Sequence, residues 1–355
     1  MQKPKKILID LTNWGNLTAG FGQIANNYAQ RFASIQDEDI HFVYLMPKGA
    51  NKDFGSRVTC VPIKKTLNKL FPCTLPSVDI WHAVNQQRKL LRKRKGTKFI
   101  FTIHDFNFLT EKSPWKAKMY LKRMQRKIDA ASVVTTISQY TANVIQQYVN
   151  IGNKPLRVIY NGVERIDTLP DKKPAFANER PFFFTIGQIR RKKNFHLLVE
   201  VMKSFPEYDL FICGDDHFEY ANEIRNLMRT LKTDNVFLTG PIKQEEKIWL
   251  YRNCQAFLFP SEGEGFGLPV IEAMQFGKAV FAANRTSLPE ICGDYAFMWD
   301  DLNPQAMVAV MKEHLPDFYQ NPERIEAIKE HAHSFSYEKH IEAYYRLYKE
   351  LLAEE

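Results

Sequence analysis

Long apolar runs and paired cysteines are both missing from this sequence. It has no run of about 18 apolar residues, the length that a membrane-spanning helix requires, so we expect no transmembrane segment. Its five cysteines are scattered and form no CxxC pair, which argues against a disulfide framework or a cysteine-based metal site. The basic start, Met1–Lys6, is followed by a short apolar stretch that runs into Asp10, so we predict a first strand rather than a signal peptide. These absences favour a cytoplasmic protein.

Charge is distributed unevenly along the 355 residues. Residues 1–170 hold 27 Lys and Arg against 11 Asp and Glu, a net charge of +16, whereas the remainder carries −7. This asymmetry suggests an anionic partner for the first half. Much of the charge lies in Arg88–Lys98 and Lys112–Lys127, and Trp115–Lys127 reads as a basic amphipathic helix suited to a membrane surface. The alternative is an ordinary solvated helix face.

Strand and helix patterns alternate in two series, which predicts two domains with mostly parallel sheets. Each series is long enough to bury its own core. A polar stretch with three prolines, Thr168–Pro181, separates the series and reads as a linker. The last segment, Tyr337–Leu352, reads as an aromatic-rich helix. We therefore predict a first domain of residues 1–168 and a second of residues 169–335.

The most informative stretch follows Ala256–Phe259, an apolar run that reads as a buried strand. Glu264 and Glu272 stand eight residues apart with Gly-Phe-Gly-Leu-Pro between them, Pro269 suits the start of a helix, and Gly277 suits its end. A strand, glycine turn and helix N-terminus form an anion site. We place Glu272 in the first helical turn, where it can accept hydrogen bonds from a vicinal diol, and Glu264 on the ligand side. Considered alone, Glu272 could equally be a carboxylate that only stabilises the N-terminus of the helix through the helix dipole.

A second candidate loop follows the strand Phe182–Ile186. Gly187 is followed by Arg190, Arg191, Lys192 and Lys193 and then by a predicted helix. Cations beside a glycine turn and a helix N-terminus suit a diphosphate. Taken alone, such a basic loop is more often simply solvated.

Two further features lie at predicted strand ends of the first series. Gly20 and Gly22 lie in a loop after the first strand, where glycine lets a ligand approach the sheet, although an ordinary turn would explain them equally well. His104 ends the strand Phe99–Ile103, at the edge where open α/β sheets bind ligands. Its imidazole could hydrogen-bond a ligand there.

These strings together resemble family 4, group 1, of the retaining GT-B glycosyltransferases. The resemblance covers nearly the whole chain and is most specific over residues 236–294, where Glu264 and Glu272 match the family's E-x7-E element. It implies an α/β fold of the GT-B type: two Rossmann-like domains with a nucleotide-sugar cleft between them. It also implies that the C-terminal helix, residues 336–355, returns to the first domain.

The resemblance assigns roles to the residues quoted above. His104 and Glu264 would act on the donor sugar, Glu272 would meet the ribose, and Lys193 would grip the diphosphate. The residues assigned to donor binding are Gly20, Gly22, Gly187, Arg191, Lys192, Lys193, Phe266, Gly267, Leu268 and Glu272. Many members have Arg after the glycine where this chain has Gln188, so the source of a second cation stays open among Arg190, Arg191 and Lys192.

The resemblance implies no metal or other cofactor. Asp37-Glu38-Asp39 matches the D-x-D string of metal-dependent GT-A glycosyltransferases, but we expect it in an exposed connection. His331 and His333 have no further ligands nearby in the sequence, so we predict no metal site there.

The implied function is transfer of a hexose, with retention, from a UDP- or GDP-linked sugar to a saccharide or lipid-linked acceptor in surface polysaccharide synthesis. The expected partners are the nucleotide sugar, this acceptor and an anionic membrane surface, without nucleic acid. We expect the enzyme in the cytoplasm, peripheral on the inner face of the membrane. Two alternatives remain: a sugar epimerase or phosphorylase of the same architecture, and a catalytically silent module that binds sugars or partners.

Overall fold

The computed structural model describes residues 3–15, 20–50, 52–63, 75–87 and 95–353. The chain forms two compact units. The first domain comprises residues 1–162 and 337–355, and the second comprises residues 163–336. The chain thus enters the second domain and returns to complete the first.

The first domain contains a parallel sheet with the strand order β3-β2-β1-β4-β5-β6-β7. Its strands are β1 (Lys5–Asp10), β2 (Ile40–Met46), β3 (Val58–Pro62), β4 (Ile80–Ala83), β5 (Lys98–Ile103), β6 (Val133–Thr136) and β7 (Leu156–Val158). Its described helices are α1 (Gly20–Ala33), α2 (Phe108–Glu111), α3 (Pro114–Ala130), α4 (Gln139–Tyr148) and the C-terminal α12 (Tyr337–Ala353). The order reverses between β1 and β4.

The second domain contains a parallel sheet with the order β10-β9-β8-β11-β12-β13. Its strands are β8 (Phe182–Ile186), β9 (Asp209–Cys213), β10 (Val236–Gly240), β11 (Ala256–Phe259), β12 (Ala279–Ala283) and β13 (Phe297–Trp299). Its helices are α5 (Phe195–Val201), α6 (Glu219–Leu231), α7 (Gln244–Asn253), α8 (Leu268–Gln275), α9 (Leu288–Cys292), α10 (Pro304–Phe318) and α11 (Pro322–His333). Here the order reverses between β8 and β11.

Apolar side chains on both faces of each sheet explain the layers. In β1, Ile7 and Ile9 face a core that includes residues of α1 and α12, whereas Leu8 faces a core that includes residues of α2, α3 and α4. Strand residues alternate between faces, so this continuous apolar run serves both. All three side chains are fully buried, and each such burial contributes about 1.5–3 kcal/mol.

A buried polar network anchors α12 in the first domain. Tyr348 lies 2.7 Å from His82 Nδ1, whose Nε2 lies 2.8 Å from the Thr102 hydroxyl on β5. Tyr28 of α1 lies 2.6 Å from His340 Nε2. Because unpaired polar groups are costly in a core, this satisfied network specifies the position of the helix.

Most predicted elements are confirmed, and the strands Phe182–Ile186 and Ala256–Phe259 match to the residue. Ser138 caps α4, since its hydroxyl accepts a hydrogen bond from the Thr141 N–H at 3.2 Å. Helices α2, α9 and α11 had no sequence prediction. No helix in the described part of the chain is long and apolar enough to cross a membrane.

Three local predictions were wrong. Gly20 and Gly22 belong to the first turn of α1 rather than to a loop, and residues 16–19, directly before them, lie outside the described residues. Residues 163–168 belong to the second domain. The supposed linker also belongs there, because Asp171 pairs with Arg252 of α7, whose guanidinium also donates to the carbonyl of Leu169.

Candidate active site

The candidate donor site lies at the carboxyl edge of the second sheet. Open parallel sheets bind ligands outside the strand ends where the strand order reverses. In this sheet that point lies between β8 and β11, and the two predicted loops, which follow Ile186 and Phe259, leave the sheet there. The topology therefore places the glycine–basic loop beside the E-x7-E segment.

Lys193 and Glu264 form a nearly buried ion pair across this point. Lys193 Nζ lies 2.5 Å from Glu264 Oε1, and the two side chains are 11% and 14% exposed. The same carboxylate oxygen accepts a hydrogen bond from the Ser261 hydroxyl at 2.6 Å. The ammonium also lies 4.6 Å from the centre of the Phe259 ring. Partial burial strengthens the pair, because the local dielectric is lower than that of water.

Glu272 is held by two residues of α7. Its Oε1 accepts from Lys247 Nζ at 2.8 Å, and its Oε2 accepts from the Tyr251 hydroxyl at 2.9 Å. Burial, and then the nearby carboxylate, raise the pKa of Tyr251, so its hydroxyl remains a donor. Glu272 is the fifth residue of α8, so its predicted place in the first helical turn was wrong. Carboxylate oxygens can accept more than one hydrogen bond, so Glu272 retains capacity for a diol.

The glycine turn is fixed by hydroxyl contacts. Gly267 precedes α8 with a φ of 111°, a conformation that glycine tolerates, and a Cβ there would lie 2.7 Å from Leu288. The Ser287 hydroxyl bonds the carbonyls of Glu264 and Phe266 at 3.1 and 3.0 Å. The Leu268 N–H, at the start of α8, has no acceptor within the helix, whereas Pro269 has no N–H and the Val270 N–H donates to the Gly267 carbonyl at 3.0 Å. Phe266 itself is buried against Phe335.

A row of three glycines, only one of which was singled out, ends the neighbouring strands β8, β9 and β10. Gly187, Gly214 and Gly240 all have positive φ. The Gly214 N–H donates to Gly240 O at 2.9 Å, and a Cβ on Gly214 would lie 1.9 Å from Gly187 O. The chain can therefore approach Gly187 only if residue 214 has no side chain. This contact supports the loop that carries Lys193.

The basic residues of this loop have different surroundings. Arg191 is 68% exposed and pairs with Glu223 of α6, with its guanidinium 5.3 Å from the Tyr220 ring centre. The Lys192 carbonyl accepts from the Glu262 N–H at 2.8 Å, which joins the two loops. Lys193, the last of the run, contacts Glu264 of the E-x7-E segment through its ammonium.

His104 lies at the carboxyl edge of the first sheet, at the end of β5. Its Nε2 lies 2.8 Å from the Val84 carbonyl, which can only accept, so Nε2 carries the hydrogen. Its ring packs edge-on against Phe21, with centroids 4.8 Å apart. Burial lowers the pKa of His104 to about 4, although the Val84 bond opposes the shift. The ring is therefore neutral at pH 7 and presents Nδ1 as an acceptor.

Gly20 and Gly22 begin α1, the helix that carries Phe21 against His104. Position 20 does not require glycine. A Cβ there would meet no atom within 4 Å, and the backbone is not in the left-handed region. Their predicted role in donor binding stays a prediction.

The acidic string Asp37-Glu38-Asp39 and His331, for which we expected no metal site, make contacts within the protein. Asp37, Glu38 and Asp39 precede β2, at the opposite edge of the sheet from His104, and Asp37 accepts from Tyr345 of α12. His331 Nε2 lies 2.8 Å from the Ile291 carbonyl. Within the described ranges, no group of three or more His, Cys, Asp or Glu side chains is arranged to hold a metal ion.

Sequence comparison finds two glycosyltransferase families in the chain. Residues 168–335 match the family described as Glycosyl transferases group 1, and residues 29–165 match Glycosyltransferase Family 4. The serotype-specific mannosyltransferase WbdA of Escherichia coli is 28% identical over 223 residues, which cover 57% of this chain but only 27% of WbdA. The O-antigen chain mannosyltransferase B of Escherichia coli is 26% identical over 233 residues, 61% of each chain.

Comparison with solved structures gives the same fold. The Anabaena protein Alr3699/HepE, solved in complex with UDP-glucose, superposes with a TM-score of 0.74 over 97% of this chain and 99% of that one, at 17% identity. The predicted fold class, α/β with two Rossmann-like domains of the GT-B type, is confirmed. The chain thus consists of a domain of Glycosyltransferase Family 4 followed by a domain of Glycosyl transferases group 1.

Proposed function

We propose that this chain transfers a hexose from a UDP- or GDP-linked sugar to a hydroxyl of a saccharide or lipid-linked acceptor, with retention and without a metal ion. The observation that carries the proposal is the pair of lysine-bound carboxylates, Glu264 and Glu272, on either side of one glycine turn. An ammonium, a helix N-terminus and two carboxylates within one segment suit a ligand that combines a diphosphate with sugar hydroxyls.

Each group has a distinct task in this proposal. Glu272 binds the ribose hydroxyls, while Lys193 and the N–H groups of Phe266, Gly267 and Leu268 bind the diphosphate. Glu264 and His104 bind the hexose. His104 is neutral, so Nδ1 accepts a hydrogen bond from a sugar hydroxyl. Arg191 and Lys192 add positive charge at the loop.

The transfer step would need no nucleophile from the protein. As the bond from the anomeric carbon to the diphosphate breaks, Lys193 stabilises the negative charge on the leaving group. A diphosphate oxygen takes the proton of the acceptor hydroxyl, which attacks the same face of the sugar. Orientation and charge stabilisation would supply most of the rate.

The relatives named above suggest the biological setting. Two are bacterial mannosyltransferases, one of them named for the O-antigen chain, which favours a role in surface polysaccharide synthesis. Their names favour a mannose donor, while the Anabaena neighbour was solved with UDP-glucose. We therefore keep both nucleotides in the test.

The first experiment is calorimetry of the purified chain with UDP, GDP and their hexose conjugates. We expect one nucleotide to bind preferentially. Incubation of the preferred conjugate with candidate saccharides, followed by mass spectrometry and NMR, should then show a retained glycosidic linkage. Activity should persist in excess EDTA; a loss that manganese restores would contradict the proposal. Conversion of the donor sugar without an acceptor would indicate an epimerase. Failure to bind any of these nucleotides would indicate a catalytically silent module.

We also propose that α3 holds the enzyme on anionic membranes. Trp115, at the start of α3, is 70% exposed, and an exposed basic face follows it. This basic face consists of Lys116, Lys118, Lys122 and Arg123. Each Lys or Arg near an anionic surface contributes about 1 kcal/mol, and salt screens the attraction.

The membrane proposal predicts more sedimentation with phosphatidylcholine vesicles that contain phosphatidylserine than with pure phosphatidylcholine. Binding should decrease with added salt and after replacement of the whole basic face by Gln. Equal sedimentation with both vesicles would contradict it and would leave the basic face to an anionic acceptor.

A further inference from the structure

Lys127 is an inward-facing exception on the basic helix α3. The sequence places it in the same run as the exposed basic face, yet it is 8% exposed. Its ammonium donates to the Gln86 carbonyl and lies 5.4 Å from the centre of the Phe101 ring. It therefore belongs to the carboxyl edge of the first sheet and not to the outer face of the helix.

Burial makes this lysine energetically costly. Burial, and then Arg123, lower the pKa of Lys127 to about 8, while Asp10 opposes the shift. A buried ammonium loses several kcal/mol of solvation, which only well-placed partners offset. An apolar side chain would fill the same space at lower cost, so this charge calls for an explanation beyond packing.

Gln86, whose carbonyl accepts from Lys127, also forms side-chain hydrogen bonds with the backbone of His104 and Asp105. Its side-chain oxygen accepts from the N–H groups of His104 and Asp105, and its side-chain nitrogen donates to the Asp105 carbonyl at 2.8 Å. Two residues earlier, the Val84 carbonyl accepts from the imidazole Nε2. Residues 84–86 therefore hold both the backbone and the ring of His104.

We propose that Lys127 is a positioning residue, which acts through Gln86 to fix the orientation of the His104 imidazole. The ammonium fixes the Gln86 carbonyl, so the segment after β4 cannot shift, and Nδ1 stays aimed at its substrate hydroxyl. This inference rests on the proposed role of His104 toward the donor hexose. A misplacement of about 1 Å in such a group can cost about 100-fold in rate.

The central test is Lys127→Met, which removes the charge and keeps most of the volume. We expect kcat for release of UDP or GDP from the hexose conjugate to fall at least tenfold. Kd for the free nucleotide should change less than twofold, because the proposed nucleotide contacts lie in the second domain. Arg126→Met, on the exposed side of the same helix, is the matched control and should keep wild-type kcat.

A double-mutant cycle separates positioning from a general structural effect. If Lys127 acts through His104, then Lys127→Met should cost little once His104→Asn is present, whereas independent effects would multiply. Multiplying losses, or wild-type kcat in Lys127→Met, would overturn the inference. Gln86→Leu breaks the same chain at its second link and should show the same kcat loss; it replaces Lys127→Met if that variant does not fold.

A spectroscopic measurement distinguishes this inference from the proposed function. The ¹⁵N signals of His104, assigned from their loss in His104→Asn, should show a neutral ring with hydrogen on Nε2. Lys127→Met and Gln86→Leu should shift these signals, and Arg126→Met should not. Unchanged signals in both variants would overturn the positioning role. Wild-type turnover of His104→Asn alongside shifted signals would instead contradict only the proposed role of His104 in transfer.

Discussion

The second domain binds its two key carboxylates with cations, whereas the first domain holds its key imidazole with neutral groups. Glu264 pairs with Lys193 and Glu272 with Lys247, so charge meets charge at the end of the second sheet. His104 is instead held by the Val84 carbonyl and the Gln86 side-chain amide. The ammonium of Lys127 does not contact His104 through these bonds but donates to the Gln86 carbonyl. The second domain therefore presents fixed charges at the ends of its strands, whereas the first presents a neutral acceptor, the Nδ1 atom of His104.

Acid should destabilise the folded first domain at a higher pH than the second domain. Burial lowers the pKa of His82 to about 3 and the pKa values of His104 and His340 to about 4, and all three lie in the first domain. The unfolded chain takes up these protons near pH 6.5. Stability from the neutral rings is therefore complete above about pH 6.5 and is lost as the pH falls towards 4. Each ring contributes on the order of 3 kcal/mol to this loss.

Hydrogen exchange followed by mass spectrometry at pH 7, 6 and 5 measures this difference, after correction for the intrinsic exchange rate. Peptides of the first domain should lose protection first, because none of the five histidines of the second domain is buried. His82→Asn should flatten the pH dependence of the first domain, while His217→Asn, at an exposed site, should not. Simultaneous loss of protection in both domains would argue against this interpretation.

Lys193→Met should produce the largest loss of activity. The variant removes the ammonium that we propose stabilises the leaving diphosphate and leaves Glu264 without its cation, so kcat should fall about 100- to 1,000-fold. Steady-state kinetics measure the effect, and Lys203→Met, at an exposed position of the same domain, is the control. A kcat within threefold of wild type would remove Lys193 from the transfer step.

Glu272→Ala should weaken binding rather than chemistry. The loss of charge-assisted hydrogen bonds to the ribose should cost about 1.5–3 kcal/mol of affinity for the free nucleotide. Calorimetry with UDP and GDP measures this cost. Glu207→Ala, at an exposed position of the second domain, serves as the control. If the affinity is unchanged, Glu272 does not bind the ribose.

Arg191→Gln should have the smallest effect. Its guanidinium is largely exposed and paired with Glu223, and exposed pairs contribute about 0–1 kcal/mol. We expect nucleotide affinity to change less than threefold by calorimetry, in contrast to Lys193→Met. A tenfold loss would show that Arg191 leaves Glu223 to bind the diphosphate and would restore it as the second cation.

The sequence predicted elements and motif positions better than side-chain partners. The strand–turn–helix unit around Glu264 and Glu272 follows from local apolar runs, glycines and one proline. The pairing of Glu272 with Lys247 joins residues 25 positions apart through the tertiary fold, and no local pattern announces it. The burial of Lys127 was not predicted for the same reason: a run of basic residues does not tell which member turns inward.

Backbone constraints were equally hard to predict. Gly214 follows β9 within Cys213-Gly214-Asp215, a context without a motif, yet its missing Cβ is required by the carbonyl of Gly187. Conversely, Gly20 and Gly22 suggested a loop, and the chain instead begins α1 there. A glycine is informative only once its neighbours in space are known.

The divided first domain has a consequence for synthesis on the ribosome. Helix α12 supplies Tyr344 and Tyr348 to the core of this domain, but it is translated only after the whole second domain. The first sheet must therefore wait, with His82 and Tyr28 lacking their final partners, while the contiguous second domain can complete its core earlier. The domain with the three buried histidines, although its synthesis begins first, is the last to finish folding.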